Sequence, residues 1–349
     1  MTIAVGIFGA SGYTGGELAR ILACHPQARI AFVTSERHAG KSLSGVFPHL
    51  ASLGDKICRP LSDSLASPDC DIAFCALPHL TSMDVVPKLL AQGVRVVDLS
   101  ADFRLRDPEV YREWYGEAHR APELLPEAVY GLPELPGMRP VIAKARLVAN
   151  PGCYPTSVLL ALAPLLKEQA IASDYLVIDS KSGVSGAGRG LSQGSLFAEL
   201  AEGFRAYKTT GHRHTPEIEQ ELSRAAGTGI RVRFAPHLIP QSRGILTTCY
   251  ARPTQERTLA GWQELLSAHY REERFVRVLP AREYPATNHV RGSNECRISV
   301  DMDPRTGWLI LLSVIDNLVK GAAGQAVQNM NIMMGWKESE GLEQLPLFP

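Results

Sequence analysis

An apolar run, Thr2-Ile3-Ala4-Val5-Gly6-Ile7-Phe8, passes without a break into Gly9-Ala10-Ser11-Gly12-Tyr13-Thr14-Gly15-Gly16 and then into the helix-like Glu17-Leu18-Ala19-Arg20-Ile21-Leu22-Ala23. A run with no polar alternation suits a strand buried on both faces, and such strands belong to parallel sheets covered by helices. Glycines at the turn let backbone approach a phosphate while the start of the helix directs its positive dipole end at the charge. An ordinary glycine turn is the alternative. The strand before the turn and the helix after it favour a dinucleotide pyrophosphate held by Gly9, Ser11, Gly12, Tyr13, Thr14 and Gly15.

The alternation continues along the first half of the chain. Residues 29–34, 71–77, 94–99 and 146–149 read as further buried strands, with a helical stretch at 83–92. This pattern implies an α/β doubly wound sheet of Rossmann type with its ligand at the C-terminal edge. The strand at 29–34 ends in Ser35-Glu36-Arg37-His38, where such folds read the adenosine ribose. Ser35 and Arg37 suit a 2′-phosphate, whereas an acidic residue such as Glu36 would select the free hydroxyl; the residues favour NADP. On the same edge, Arg104 suits a bidentate grip on a substrate phosphate or carboxylate, or an ion pair with Asp102. Residues 105–140 read as an irregular excursion rich in Pro, Tyr and Glu.

A helix pattern starts near Pro155, after Asn150-Pro151-Gly152-Cys153-Tyr154, which places Cys153 at or just before a helix N-terminus. Positive potential there favours the thiolate, the form that attacks a carbonyl carbon. A small buried cysteine is the alternative. Beyond this point strands at 175–179, 230–234, 244–251, 275–279, 296–302 and 308–315 are no longer regularly separated by helices. They predict an α+β domain on a mixed, largely antiparallel sheet. The expected division is therefore a dinucleotide-binding domain at 1–152, completed by 316–349, and a catalytic and oligomerisation domain at 153–315.

Two stretches of the second domain carry chemistry. Lys181-Ser182-Gly183-Val184-Ser185-Gly186-Ala187-Gly188-Arg189-Gly190 offers backbone N–H groups, hydroxyls and two cations to a phosphate or to the nicotinamide side of a dinucleotide. Gly211-His212-Arg213-His214-Thr215-Pro216-Glu217 places two histidines just before a helix whose N-cap and first position are Thr215 and Pro216. An imidazole there suits acid–base work, with Glu217 near enough to orient it. Metal binding is the weaker reading, because two histidines at this spacing lack a nearby third ligand. At the entry to the last helix pattern, Asn317 suits a hydrogen bond to the cofactor's carboxamide, or a helix cap.

Bulk properties exclude whole classes. With 349 residues, 45% of them hydrophobic, the chain can bury two sizeable cores. A formal net charge of +0 provides no field for nucleic acid and no polybasic membrane anchor. Seven cysteines without a CxxC pair argue against a disulfide framework or a zinc knuckle and fit a reducing cytoplasm. The N-terminus lacks the basic region of a signal peptide, and no apolar segment reaches membrane-spanning length.

Together these features suit a reductase that captures an acyl group on cysteine and receives hydride from a nicotinamide. The sequence resembles the N-acetyl-gamma-glutamyl-phosphate reductases of the aspartate-semialdehyde dehydrogenase superfamily. The resemblance rests on Gly9 to Gly16, Asp98-Leu99-Ser100-Ala101-Asp102-Phe103-Arg104-Leu105, Asn150-Pro151-Gly152-Cys153-Tyr154-Pro155-Thr156, Ser182 to Gly190, His212 to Glu219, Pro236-His237-Leu238-Ile239-Pro240 with Arg243-Gly244, and Lys320 to Asn329. These blocks run in order through nearly the whole chain. One departure is Leu80, where family members commonly carry glycine after the histidine matching His79.

The resemblance implies NADPH-dependent reduction of N-acetyl-L-glutamyl 5-phosphate to the 5-semialdehyde with release of phosphate, in arginine biosynthesis. Cys153 would be the nucleophile, and His212 or His214 the acid/base. Ser185, Gly186 and Asn317 are expected on the cofactor, and Arg104, Asn150, Ser182 and Glu217 on the substrate, without a metal. The family is oligomeric, which implies a homo-oligomer, dimer or tetramer, with the second domain's sheet at the interface. Competing readings are an aminoadipyl phosphate or aspartyl phosphate reductase, and a non-catalytic NADP-binding sensor.

Overall fold

The computed structural model describes residues 2–348. The chain divides into a first unit that ends at Pro151 and is completed by Ala322–Glu343, and a second unit, Gly152–Gly321, joined by the residues from Gln344 onward.

The first unit is built on seven strands: β1 (Ile3–Phe8), β2 (Ala28–Thr34), β3 (Cys58–Arg59), β4 (Ile72–Cys75), β5 (Arg95–Asp98), β6 (Val129–Tyr130) and β7 (Leu147–Ala149). Their order is β3-β2-β1-β4-β5-β7-β6, and every pairing is parallel. The short edge strands β3 and β6 lie outside the runs expected from sequence, because two residues carry no periodic signal. The chain winds outward in both directions from β1 and β4, so the topological switch lies between them and the Gly9 turn opens at that point. Apolar side chains on both faces of the central strands make the core, with Phe8 and Phe32 meeting edge to face at 5.4 Å.

Polar networks fix the C-terminal edge of this sheet. Asp102 accepts hydrogen bonds from the N–H groups of Leu80 (2.9 Å) and Ser82 (3.1 Å) and from the Tyr111 hydroxyl (2.8 Å). Leu80 sits at φ 74°, a left-handed conformation that costs a branched side chain about 1 kcal/mol. The Asp102 bond and an Arg120 guanidinium donating to the Leu80 carbonyl hold it there. Leu80 therefore occupies a backbone geometry that favours glycine and is retained by two flanking polar contacts.

The C-terminal segment closes the same unit. The helix Gly324–Met333 is buried along almost its whole length. Asn329 donates to the Gly131 carbonyl (2.8 Å) and to Asn150 Oδ1 (3.0 Å), while Asn150 Nδ2 donates to the Ala322 carbonyl (3.1 Å). Arg95 adds a bond to the Met333 carbonyl at 2.6 Å. Residues 316–321, expected in the first domain, belong to the second unit because Asp316 and Asn317 bond to groups there.

The second unit carries β8 (Leu176–Gly183), β9 (Arg205–Ala206), β10 (Val232–Ile239), β11 (Ile245–Ala251), β12 (Val276–Val278), β13 (Cys296–Met302) and β14 (Leu309–Ile315). The order is β12-β13-β14-β11-β8-β10-β9; β12–β13 and β8–β10 are parallel and the other pairings antiparallel. Burial alternates along β8 and β10, so one face is covered and the other is more open. The covering helix Cys153–Lys167 is apolar all round and buries every residue from Tyr154 to Leu166. Among the described residues, no helix is long and apolar enough to cross a membrane.

Asp98, at the end of β5, is fully buried, and burial pushes its carboxyl up to about 7, with the Asp102 charge adding to the shift. The folded form thus keeps a proton that the unfolded chain loses near pH ~4. Stability from this group is full below that value, declines as pH rises to about 7, and is level above it. Asp98→Asn is expected to raise the melting temperature by roughly 4 °C or more at pH 8 and by little near pH ~4.5, read by thermal unfolding at both pH values. An equal shift at the two pH values would contradict this assignment.

Candidate active site

Cys153 is the first residue of its helix, with Gly152 as N-cap, so the helix begins two residues before Pro155. The helix starts without a side-chain cap and without an acidic residue in its first turn. The dipole of this helix start therefore acts on the cysteine, which is partly exposed. The turn ahead of it is fixed on both sides. Gly152 N–H donates to the buried Glu217 carboxylate at 2.8 Å, and the Gly152 carbonyl accepts from both the backbone N–H and the hydroxyl of Thr156, each at 2.9 Å. Glu217, expected on the substrate, is thus engaged with the backbone next to Cys153.

Tyr154 links the cysteine to the histidines. Its ring meets His212 at 5.5 Å, His214 at 5.8 Å and Phe234 at 5.3 Å, all edge to face. Its hydroxyl donates to the His237 carbonyl and lies 3.2 Å from the Tyr207 hydroxyl. His212 is further enclosed by Tyr207 (5.4 Å), Phe234 (5.3 Å) and His214 (4.9 Å). This box of rings lowers the His212 imidazole to about 4, chiefly through burial and then through the charges of Lys208 and Arg213. His212 Nδ1 accepts the His214 N–H at 3.1 Å, so the neutral ring carries its hydrogen on Nε2. The two tyrosines and Phe234 have no motif of their own. Tyr154 was visible only as the neighbour of Cys153, and Tyr207 and Phe234 come from a distant loop and strand.

The expected phosphate loop is largely occupied by its own fold. Lys181 to Gly183 belong to β8, and Lys181 pairs with Asp179 at 2.7 Å. The N–H groups of Gly183, Val184 and Ser185 donate to the carbonyls of Gly244, Gln241 and Ser242, a close crossing that leaves no room for a Cβ on Gly183. Ser182 is buried and donates to the Gly183 carbonyl at 3.0 Å. Asn317 staples this crossing, its Nδ2 donating to the Ser185 hydroxyl (2.9 Å) and its Oδ1 accepting from Gly244 N–H (2.7 Å). Its carboxamide is therefore engaged at both ends, and Gly186 follows in a short 3₁₀ turn, Val184–Ala187.

In the first unit the glycine turn has the shape that a pyrophosphate requires. At Gly9, φ is 86° and a Cβ would collide with the Ala76 carbonyl; at Gly15 a Cβ would come within 2.6 Å of Ala10 Cα. A Cβ on Gly12 would meet only the Gly9 carbonyl oxygen, at an ordinary 3.7 Å, and the helix it caps, Tyr13–Leu22, has neither a side-chain cap nor an acidic first turn. Thr14 is half-buried and Tyr13 exposed at this start. Ser11 and Ser35 share a hydrogen bond at 2.7 Å, which brings the end of β2 against the turn. Arg37 is exposed there, while Glu36 accepts the Leu61 N–H at 2.6 Å. These residues fit a dinucleotide.

Two residues expected on the substrate, Arg104 and Asn150, also bond within the scaffold of that edge. Arg104 is only 7% exposed and donates to the carbonyls of Asn150 (2.8 Å) and Leu99 (2.9 Å), tying the loops after β5 and β7 together. Asn150 has its amide engaged with Ala322 and Asn329. His79, on the neighbouring loop, is exposed, and its Nδ1 accepts the Ala101 N–H at 3.3 Å.

The chain matches known proteins along nearly its whole length. Residues 4–144 match the semialdehyde dehydrogenase NAD binding domain, and residues 153–317 match the semialdehyde dehydrogenase dimerisation domain. Among solved structures, aspartate semialdehyde dehydrogenase II of Vibrio cholerae has a TM-score of 0.72 at 17% identity, covering 96% of this chain and 99% of that one. Aspartate semialdehyde dehydrogenase with NADP from Candida albicans gives 0.66 at 16% identity, covering 96% of this chain and 99% of that one. These likenesses concern the fold. In sequence, the chain is 59% identical to N-acetyl-gamma-glutamyl-phosphate reductase of Magnetococcus marinus, over 100% of this chain and 99% of that protein. It is 55% identical to the enzyme of the same name from Geobacter metallireducens, over 99% of both chains. The chain belongs to the N-acetyl-gamma-glutamyl-phosphate reductase family, within the semialdehyde dehydrogenases.

Proposed function

We propose that this chain reduces N-acetyl-L-glutamyl 5-phosphate to N-acetyl-L-glutamate 5-semialdehyde with NADPH, releasing phosphate, as a step of arginine biosynthesis. The observation that carries this reading is Cys153 in the uncapped first turn of a buried helix, with Glu217 on the preceding amide and the neighbouring Tyr154 ring against both histidines. The Cys153 thiolate attacks the acyl carbon, the carbon–oxygen bond to phosphate breaks, and the acyl group rests on sulfur as a thioester. Bound NADPH supplies the hydride that takes this carbon to the aldehyde level. When the carbon–sulfur bond breaks, the electron pair returns to Cys153.

His212 serves this sequence as an uncharged donor. An imidazole held at about 4 is neutral at physiological pH, and its Nε2–H suits a carbonyl oxygen that gains negative charge. His214 contacts the substrate beside it. Gly9, Ser11, Gly12, Tyr13, Thr14 and Gly15 would hold the pyrophosphate, and Ser35 with Arg37 the 2′-phosphate. Engagement of Glu36 with Leu61 N–H supports NADP over NAD, since that carboxylate is not turned to a ribose hydroxyl. Self-association fits the open face of the second sheet, where Val177 and Tyr250 stand opposite one another and stay exposed.

The reaction is tested in its easy direction, with N-acetyl-glutamate semialdehyde, phosphate and NADP, by following nicotinamide reduction. Turnover with aspartate semialdehyde alone would overturn the substrate assignment. Cys153→Ser is expected to lower the rate by about a thousandfold or more while leaving NADP affinity within about twofold; retention of most of the rate would end the thioester reading. Arg37→Ala is expected to weaken NADP binding by about tenfold and NAD binding by less than about twofold, measured by fluorescence titration. Equal losses would place recognition of the phosphate elsewhere.

A further inference from the structure

The residues just after β14 form an unusual turn. Val319–Ala323 is π-helical, and its Gly321 N–H donates to the Asp316 carbonyl at 2.9 Å. Single π-turns are rare, and they interrupt helices mostly at functional positions. Asp316 anchors this one. It is fully buried; its Oδ1 accepts the N–H groups of Leu318 (2.8 Å) and Val319 (3.3 Å), and its Oδ2 accepts Gly292 N–H (2.7 Å) and faces Arg243 at 3.5 Å.

The turn is built this way where it meets the nucleophile. A Cβ on Gly321 would lie 2.8 Å from Cys153 Cβ and 3.2 Å from Cys153 Cα, and 3.3 Å from the Asp316 carbonyl oxygen. No flexible side-chain end is available to yield: the obstructing atoms are the first two carbons of the cysteine itself. An α-helical continuation would also place the Gly321 N–H on a different carbonyl from that of Asp316.

We infer that the Asp316-anchored π-turn is a positioning element for Cys153, and that Gly321 is the positioning residue through which it sets the sulfur at the helix start. The inference rests on the thioester reading above, and it adds a residue that lies against the Cα and Cβ of the nucleophile. Glu217 fixes the turn before Cys153 through Gly152 N–H, and Gly321, lacking a side chain, lets the π-turn lie directly against Cys153 Cα and Cβ. A displacement of a reacting atom of well under 1 Å is enough to lower turnover strongly, so a close contact of this kind controls rate more than binding.

The test compares wild type, Gly321→Ala and Gly229→Ala, whose added Cβ would meet open space. Turnover is expressed per Cys153 thiol in the folded fraction recovered by gel filtration, so that loss of folded protein does not enter. Gly321→Ala is expected to lower kcat per thiol by about tenfold or more with KM for NADP within about twofold, while Gly229→Ala stays at the wild-type rate. Wild-type kcat per thiol in Gly321→Ala would overturn the inference. If that variant does not fold, Asp316→Asn decides: it is expected to lose turnover in the same way, and an unchanged rate overturns the inference. If wild type itself turns over no semialdehyde, the functional reading has failed; positioning is then read from the pH midpoint of Cys153 alkylation by iodoacetamide, mapped by peptide mass. That midpoint is expected to rise in Gly321→Ala as the sulfur leaves the helix start, and coincident midpoints overturn the inference.

Discussion

The Glu217–Gly152 contact is the interaction on which the second unit's chemistry depends. A buried carboxylate accepting a backbone N–H is a charge-assisted bond, stronger than a neutral one, and losing it would leave the buried Gly152 N–H without this acceptor. It fixes the chain direction at the last residue before a helix that buries almost every side chain. The helix cannot rotate to relieve strain, because its whole circumference is packed. Cys153 therefore inherits its position from the core of the unit, and a reactive group held this way needs no reorganisation at the moment of reaction.

The same packing explains the unusual imidazole. Four rings and two cations surround His212 and disfavour a positive charge on it. The neutral ring then has a defined tautomer, set by the His214 N–H on Nδ1. In the proposed reaction, stabilisation of a Cys153 thiolate falls instead to the dipole of the helix start. Charge on the sulfur and hydrogen-bond donation from the imidazole are thus supplied by separate parts of the fold.

What the sequence made legible was local. The glycine turn, the cysteine at a helix start and the paired histidines are encoded within a few residues each, and spacing alone identifies them. The scaffold contacts of Arg104, Asn150 and Asn317 are not legible in sequence, because a polar residue on a binding edge reads the same whether it meets a ligand or a carbonyl. Their partners, such as Ala322 and Asn329 for Asn150, lie far along the chain and leave no local trace. Lys181 is different: alternation through Val177, Asp179 and Lys181 places it on the open face of β8 beside Asp179, a period-two signal that runs past the end of the expected strand. Glycines were legible as a class, but only the structure separates those at positive φ from Gly183 and Gly321, which are needed because another segment lies against them.

Both units place buried polar networks where an apolar core would serve stability as well. In the first, Asn150, Asn329 and Gly131 join the last strand to the C-terminal helix; in the second, Asp316 and Asn317 join β14 to the segments at 183–185, 244 and 292. Apolar packing is non-directional and tolerates small slips, whereas a carboxamide engaged at both ends accepts one register only. These networks lie where the chain leaves one unit for the other, at Pro151–Gly152 and at Gly321–Ala322. Cys153 adjoins the first of these crossings in sequence, and Gly321, whose missing side chain it fills, ends at the second. The directional bonds are thus concentrated on the backbone that determines where the sulfur sits, and non-directional burial supplies the rest of the stability.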